Sequence, residues 1–158
     1  MRPQTNAEMT TPHTLSLSVQ YASLRSQLPT RSQFRRWVSA ALQQDLHCTL
    51  RVVDAEEGQT LNRDFRGKDY ATNVLTFVYD DTEPLSGDIV ICAAVVEREA
   101  QEQGKALLAH YAHMTIHSVL HLQGYDHENE ADAVEMEALE TALMDKLGYP
   151  APYEVTTQ

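Results

Sequence analysis

The chain has 158 residues, 42% of them hydrophobic, which suits a single domain with a sizeable core and leaves too little chain for two ordinary ones. Its formal net charge of −11 argues against broad electrostatic attraction to nucleic acid or anionic lipid, though a local basic site remains compatible with it. No apolar stretch is long enough to span a membrane and the start, M-R-P-Q-T-N-A-E-M-T-T-P-H, lacks the apolar run of a secretory signal, so a cytoplasmic location without a membrane partner is expected.

Residues 1–13 read as a loose polar arm. Leu15, Leu17 and Val19 alternate with polar residues and predict a first strand. Pro29 and Thr30 open a helix with Gln33 at the capping-box position and an apolar stripe of Phe34, Trp37, Val38, Ala41 and Leu42. Arg31, Arg35 and Arg36 fall on its outer side, as a solvated face or an RNA contact. A second strand is predicted over Cys48 to Val53, a short helix over Ala55 to Phe65, and then the polar loop R-G-K-D-Y-A-T. Asn73 to Tyr79 and Asp88 to Cys92 read as two strands of a hairpin turned by Asp80 to Pro84. From Ala93 the pattern is helical: one helix to Gln103 broken by Gly104, a second from Lys105 to Gln123, and a third from Ala131 to Leu147 stopped by Gly148 and Pro150. Cys48 and Cys92 are far apart and outside any C-x-x-C, which predicts two reduced, buried thiols.

This order predicts an α+β domain over residues 14–150, a small mixed four-stranded sheet covered by helices, with a tail over residues 151–158. The helix from Lys105 is apolar over most of its circumference and is expected at the centre. Its His110, His113, His117 and His121 share a stripe roughly 80° wide that must line a cavity or cleft.

Five of the seven histidines lie between His110 and His127. In H-S-V-L-H-L-Q-G-Y-D-H, His117 and His121 are one helical turn apart, and a left-handed reversal at Gly124 would swing His127 back toward them. Three neutral imidazoles with one open position describe a catalytic zinc site better than a closed structural one. His110 and His113 are left for supporting, substrate-contact or core roles. The spacing is that of the metzincin pattern H-E-x-x-H-x-x-G-x-x-H, but Ser118 replaces the general-base glutamate. A seryl hydroxyl cannot take a proton from metal-bound water at neutral pH, so peptide hydrolysis by the usual route is disfavoured. Phosphodiester cleavage stays open if a cation neutralises the phosphate. Arg66, beside Gly67 and Lys68 in the polar loop, is the candidate; its alternative is a surface arginine capping the preceding helix.

From about Leu61 to Tyr149 the chain resembles the YbeY-type endoribonucleases. The resemblance rests on L-N-R-D-F-R-G-K-D-Y-A-T-N-V-L-T-F, S-G-D-I-V-I-C, E-A-Q-E-Q-G-K and A-H-M-T-I-H-S-V-L-H-L-Q-G-Y-D-H, followed by E-A-D-A-V-E-M-E-A-L-E. It implies one zinc ion held by His117, His121 and His127, with Arg66 facing it as the functional arginine; Lys68 and His113 are further candidate substrate contacts. The implied activity is metal-dependent cleavage of single-stranded RNA, in maturing the 3′ end of small-subunit ribosomal RNA and in ribosome quality control. Its partners would then be ribosomal RNA and the small ribosomal subunit or its proteins. The chain departs from the family pattern at Ser118, usually glycine, and at Ala71 and Val78, usually proline. Ser118 could crowd the packing beside the site or offer its hydroxyl to a ligand or substrate. Two other readings remain at this level: a metal-dependent amidase or protease using Asp126 or Glu128 as base, and a non-catalytic ribosome assembly factor whose metal holds the C-terminal turn.

Overall fold

The computed structural model describes residues 12–80 and 84–153. Most of the expected arm, the centre of the expected hairpin turn and the last five residues of the tail lie outside these. The elements are β1 (Leu15–Ala22), α1 (Arg31–Ala40), β2 (Leu46–Val53), α2 (Ala55–Arg66), β3 (Val74–Asp80), β4 (Leu85–Cys92), α3 (Ala93–Gln103), α4 (Leu107–Leu122) and α5 (Glu130–Lys146). The four strands form one mixed sheet in the order β1-β2-β4-β3. β1 pairs parallel with β2 and β2 parallel with β4, whereas β3 closes the far edge as the antiparallel partner of β4. The fold is the expected α+β arrangement.

β2 begins at Leu46 and β4 at Leu85, earlier than alternation alone predicts. Leu15, Leu46 and Leu85 stand in register across the two parallel pairings, and this shared pairing draws the polar residues beside them into the strands. α1 starts at the capping box: the Thr30 side chain accepts from the Gln33 N–H and the Gln33 side chain accepts from the Thr30 N–H. Arg31 and Arg35 of this helix are exposed and also reach back to the sheet. Their guanidinium groups donate to the Val19 and Leu15 carbonyls, so α1 covers part of the edge of β1. Arg31 also lies over the Tyr21 ring, 4.8 Å from its centroid.

One face of the sheet carries the larger core, in which Phe34 and Trp37 of α1 meet Tyr111 and Ile116 of α4 and Met136 and Met144 of α5. A smaller apolar cluster of Val53, Leu75, Val90, Cys92 and Val95 takes in Leu61 of α2 on the other side. Both cysteines are free and buried, and burial pushes the Cys48 thiol up to about 12. α4 packs against α1, α3, α5, β3 and β4, and twelve of its sixteen residues are buried. The central position expected for this helix is therefore observed.

Candidate functional site

α4 has no side-chain cap at its N-terminus and is apolar nearly all round, so tertiary burial rather than local propensity holds it helical. Its other end is tied down in detail. Gly124 takes φ 106°, and the Tyr125 N–H returns to the Leu120 carbonyl at 3.1 Å. The Gln123 side chain donates to the Ala41 carbonyl and accepts from the Gln43 N–H, while the Tyr125 hydroxyl donates to the Gln43 side chain. These bonds anchor the reversal to the end of α1 and fix where His127 emerges.

The reversal brings the three predicted ligands together. Ring centres lie 6.4 Å apart for His117 and His121, 5.3 Å for His117 and His127, and 6.2 Å for His121 and His127. Three imidazoles bound to one ion at about 2.1 Å would have ring centres about 5 Å apart, so the triad is set slightly wide. Among the described residues, no group of three or more donors is closed to coordination distance. The hydrogen bonding nevertheless fits a metal. His121 Nδ1 faces the Tyr125 carbonyl at 3.1 Å, which can only accept, so Nδ1 carries the proton and Nε2 the lone pair. Burial, then the charges of His117 and His127, lower the His121 pKa and favour the neutral ligand form.

His117 Nδ1 is likewise engaged, 2.8 Å from Glu140 Oε2. Glu140, from α5, is fully buried, and its Oε1 takes His113 Nε2 at 2.7 Å and the Tyr153 hydroxyl. Burial alone would raise its carboxyl; the hydrogen bonds from His113 and His117, the charge of His117 when protonated and the Tyr153 hydroxyl outweigh that and hold it at about 2. Glu140 had no assigned role at the sequence level, where it merged with the acidic run of α5. A signal was present: with Met136 and Met144 it occupies one buried stripe at i, i+4 and i+8. His113, expected at the substrate, is 5% exposed and lies behind His117 on this carboxylate. His110 makes a similar bond to Glu99 at 2.9 Å, and Glu99 also receives the Asn73 side chain from the entry to β3. A cleft of about 360 Å³ opens here, lined by Asn73, Glu99, Lys105, His113, His117 and Tyr153 among others. A larger cavity of about 760 Å³ beside the α3–α4 turn reaches His110 and His113 but none of the three ligand candidates.

Arg66 is the last residue of α2, and the backbone N–H groups of Gly67 and Lys68 take the Arg63 and Asn62 carbonyls. The helix end is thus capped without the Arg66 side chain. Buried Asn62 donates to the Tyr70 carbonyl at 2.8 Å, and Phe65 meets Phe77 of β3 edge-on with centres 5.5 Å apart, which pins the loop to the strand against which α4 packs. Among the described residues Arg66 and Lys68 are exposed and enter no side-chain hydrogen bond or ion pair, whereas Arg63 is engaged by Asp64 and Asp69.

Residues 19–148 match the family model described as endoribonuclease YbeY. The chain belongs to the YbeY family. Among its relatives, the endoribonuclease YbeY of Nitrosomonas europaea is 60% identical, the alignment covering 89% of this chain and 86% of that protein. The endoribonuclease YbeY of Thiobacillus denitrificans is 59% identical over 88% of this chain and 96% of that one. A solution structure of a Thermotoga maritima protein superposes with a TM-score of 0.60 at 28% identity, covering 83% of this chain and 88% of that chain.

The departure from the YbeY pattern at Ser118 has a local explanation. Ser118 is fully buried, and its hydroxyl donates to the Met114 carbonyl one turn back at 2.8 Å. Of the two roles open to it, ligand contact is therefore not what the structure shows. Val78 stands on the edge strand, 49% exposed, and Ala71 packs against the smaller core.

Proposed function

We propose that this YbeY-family chain is a zinc-dependent endoribonuclease that cleaves single-stranded RNA in the cytoplasm. We assign it to maturation of the 3′ end of small-subunit ribosomal RNA and to ribosome quality control, with the small subunit or its proteins as partners. The observation that carries this reading is the convergence of His117, His121 and His127, two of them with Nδ1 committed to an acceptor and Nε2 left free. His117, His121 and His127 would hold the ion, which when bound supplies Lewis-acid assistance to phosphodiester cleavage.

The remaining roles belong to the chain. Arg66 offers a guanidinium without an ion pair among the described residues to a phosphate, where planar paired donors suit two oxygens and offset charge that grows during cleavage. Lys68 adds a point charge from the same pinned loop. Helix α4 keeps two ligand rings on one rigid face, and the Gly124 turn sets the third. Asp126, one of the two bases open to an amidase reading, accepts the backbone N–H of His127 at 2.7 Å and so serves the turn.

The test uses the purified chain and its His121→Ala and Arg66→Ala variants on single- and double-stranded RNA oligomers and on a peptide library, with bound metal measured in parallel. The wild type is expected to cut single-stranded RNA alone. His121→Ala should lose both metal and cleavage, and Arg66→Ala should keep metal while cleavage falls on the order of a hundredfold or more. Undiminished RNA cleavage by a metal-free His121→Ala protein would defeat the assignment.

A further inference from the structure

We propose that Glu140 is the positioning residue for His117: its buried carboxylate, shared with His113 and covered by Tyr153, fixes the imidazole with Nδ1 protonated and Nε2 as the free donor atom. This rests on the reading of His117 as a metal ligand and extends it to the group behind the ligand.

Hydrogen-bond capacity decides the protonation pattern around this carboxylate. Glu140 is 0% exposed on α5, so no water competes for its oxygens. Three neighbours are in hydrogen-bond contact: His117 Nδ1 at 2.8 Å on Oε2, and His113 Nε2 at 2.7 Å together with the Tyr153 hydroxyl on Oε1. An ionised carboxylate only accepts, so it satisfies all three when each partner donates. A donating His117 Nδ1 leaves Nε2 unprotonated, as metal binding requires. The ring is also restrained in rotation, because His113 and Tyr153 hold the carboxylate from its other oxygen and the His113 and Tyr153 rings meet edge-on at 5.1 Å. Tyr153 stands just beyond α5, and Lys105 donates to the neighbouring Pro152 carbonyl at 2.8 Å, so the segment after the last helix is clasped over this group. A structural ion-pair network would need no more than burial and charge balance. The specific consequence here is the tautomer of one ring.

Glu140→Gln tests it with the shape preserved. An amide has one accepting oxygen and one donating nitrogen; with His113 Nε2 and the Tyr153 hydroxyl both donating on the Oε1 side, the oxygen stays there, the nitrogen faces His117 Nδ1, and the His117 ring must reverse its tautomer. Long-range nitrogen–proton NMR on ¹⁵N-histidine-labelled protein without metal reads the tautomer directly, and zinc affinity follows from competition with a chelator. In the wild type His117 is expected as the Nδ1–H form. In Glu140→Gln it should shift toward Nε2–H and zinc affinity should fall about 10–100-fold, with the circular-dichroism spectrum unchanged. Tyr153→Phe should keep the Nδ1–H form and weaken zinc only a few-fold. A wild-type His117 in the Nε2–H form would overturn the proposal, whether or not the Gln variant folds. So would a folded Glu140→Gln protein with unchanged tautomer and zinc affinity within twofold of wild type. Should the wild type take up no zinc, the metal-centre reading falls, while the tautomer measurement still decides the role of Glu140.

Discussion

At single residues, the site depends on which lone pairs are already used. Ser118 illustrates this: its place in the motif suggested an influence on chemistry, yet its hydroxyl is engaged by its own helix. Ser118→Gly, which restores the usual family residue, is expected to lower stability by about 1 kcal/mol through helix propensity and lost packing, with bound metal unchanged. Thermal unfolding and metal content check both parts. Glu140 adds an acid-sensitive contribution to stability. Its carboxyl takes a proton near 4.5 when unfolded but only near 2 when folded, so the unfolded chain binds more protons between those values. Its contribution is therefore complete above pH 4.5 and lost as pH falls toward 2. Urea midpoints should drop over that window in the wild type and less steeply in Glu140→Gln.

At the scale of elements, α4 and its exit turn build the ligand set, and β3 and β4 support it. Gly124 has φ 106° with nothing near a substituent, so Gly124→Ala would meet backbone strain and no steric clash. The expected cost is about 1–2 kcal/mol, together with weaker zinc retention because His127 is displaced; chemical denaturation and chelator competition measure the two. Gly87 presents the opposite case. A Cβ there would lie 2.6 Å from the Phe77 carbonyl oxygen and 3.0 Å from Leu122 of α4, so Gly87→Ala forces the β3–β4 pairing and α4 apart. A loss of about 1–3 kcal/mol in unfolding free energy is expected. Helix starts and stops were readable because caps and glycines act over a single turn, as at Thr30, Gln103 and Gly148. Strand starts were less so: Leu46 and Leu85 are strand residues because of their partners, which local alternation does not contain.

Over the whole molecule, an acidic chain presents its cations sparsely. If Arg66 and Lys68 make the main phosphate contacts, single-strand binding should weaken with salt at a log–log slope of only about −1.4. Fluorescence anisotropy across a salt series measures it, and a much steeper slope would mean a wider basic surface than these two residues. Local chemistry was legible from the residues alone. The His117, His121 and His127 spacing, the Gly124 reversal, the missing glutamate at Ser118 and the α+β order follow from helical and turn geometry over a few residues. Packing over longer separations set the rest: Arg31 and Arg35 on the edge of β1, His113 withdrawn behind His117, and Glu140 joining the His113 and His117 rings with Tyr153 bonded to its carboxylate. Separation along the chain accounts for the difference. Glu140 lies 23 residues from His117, and only the packing of α5 on α4 turns an acidic residue of a charged helix into the buried acceptor behind a ligand.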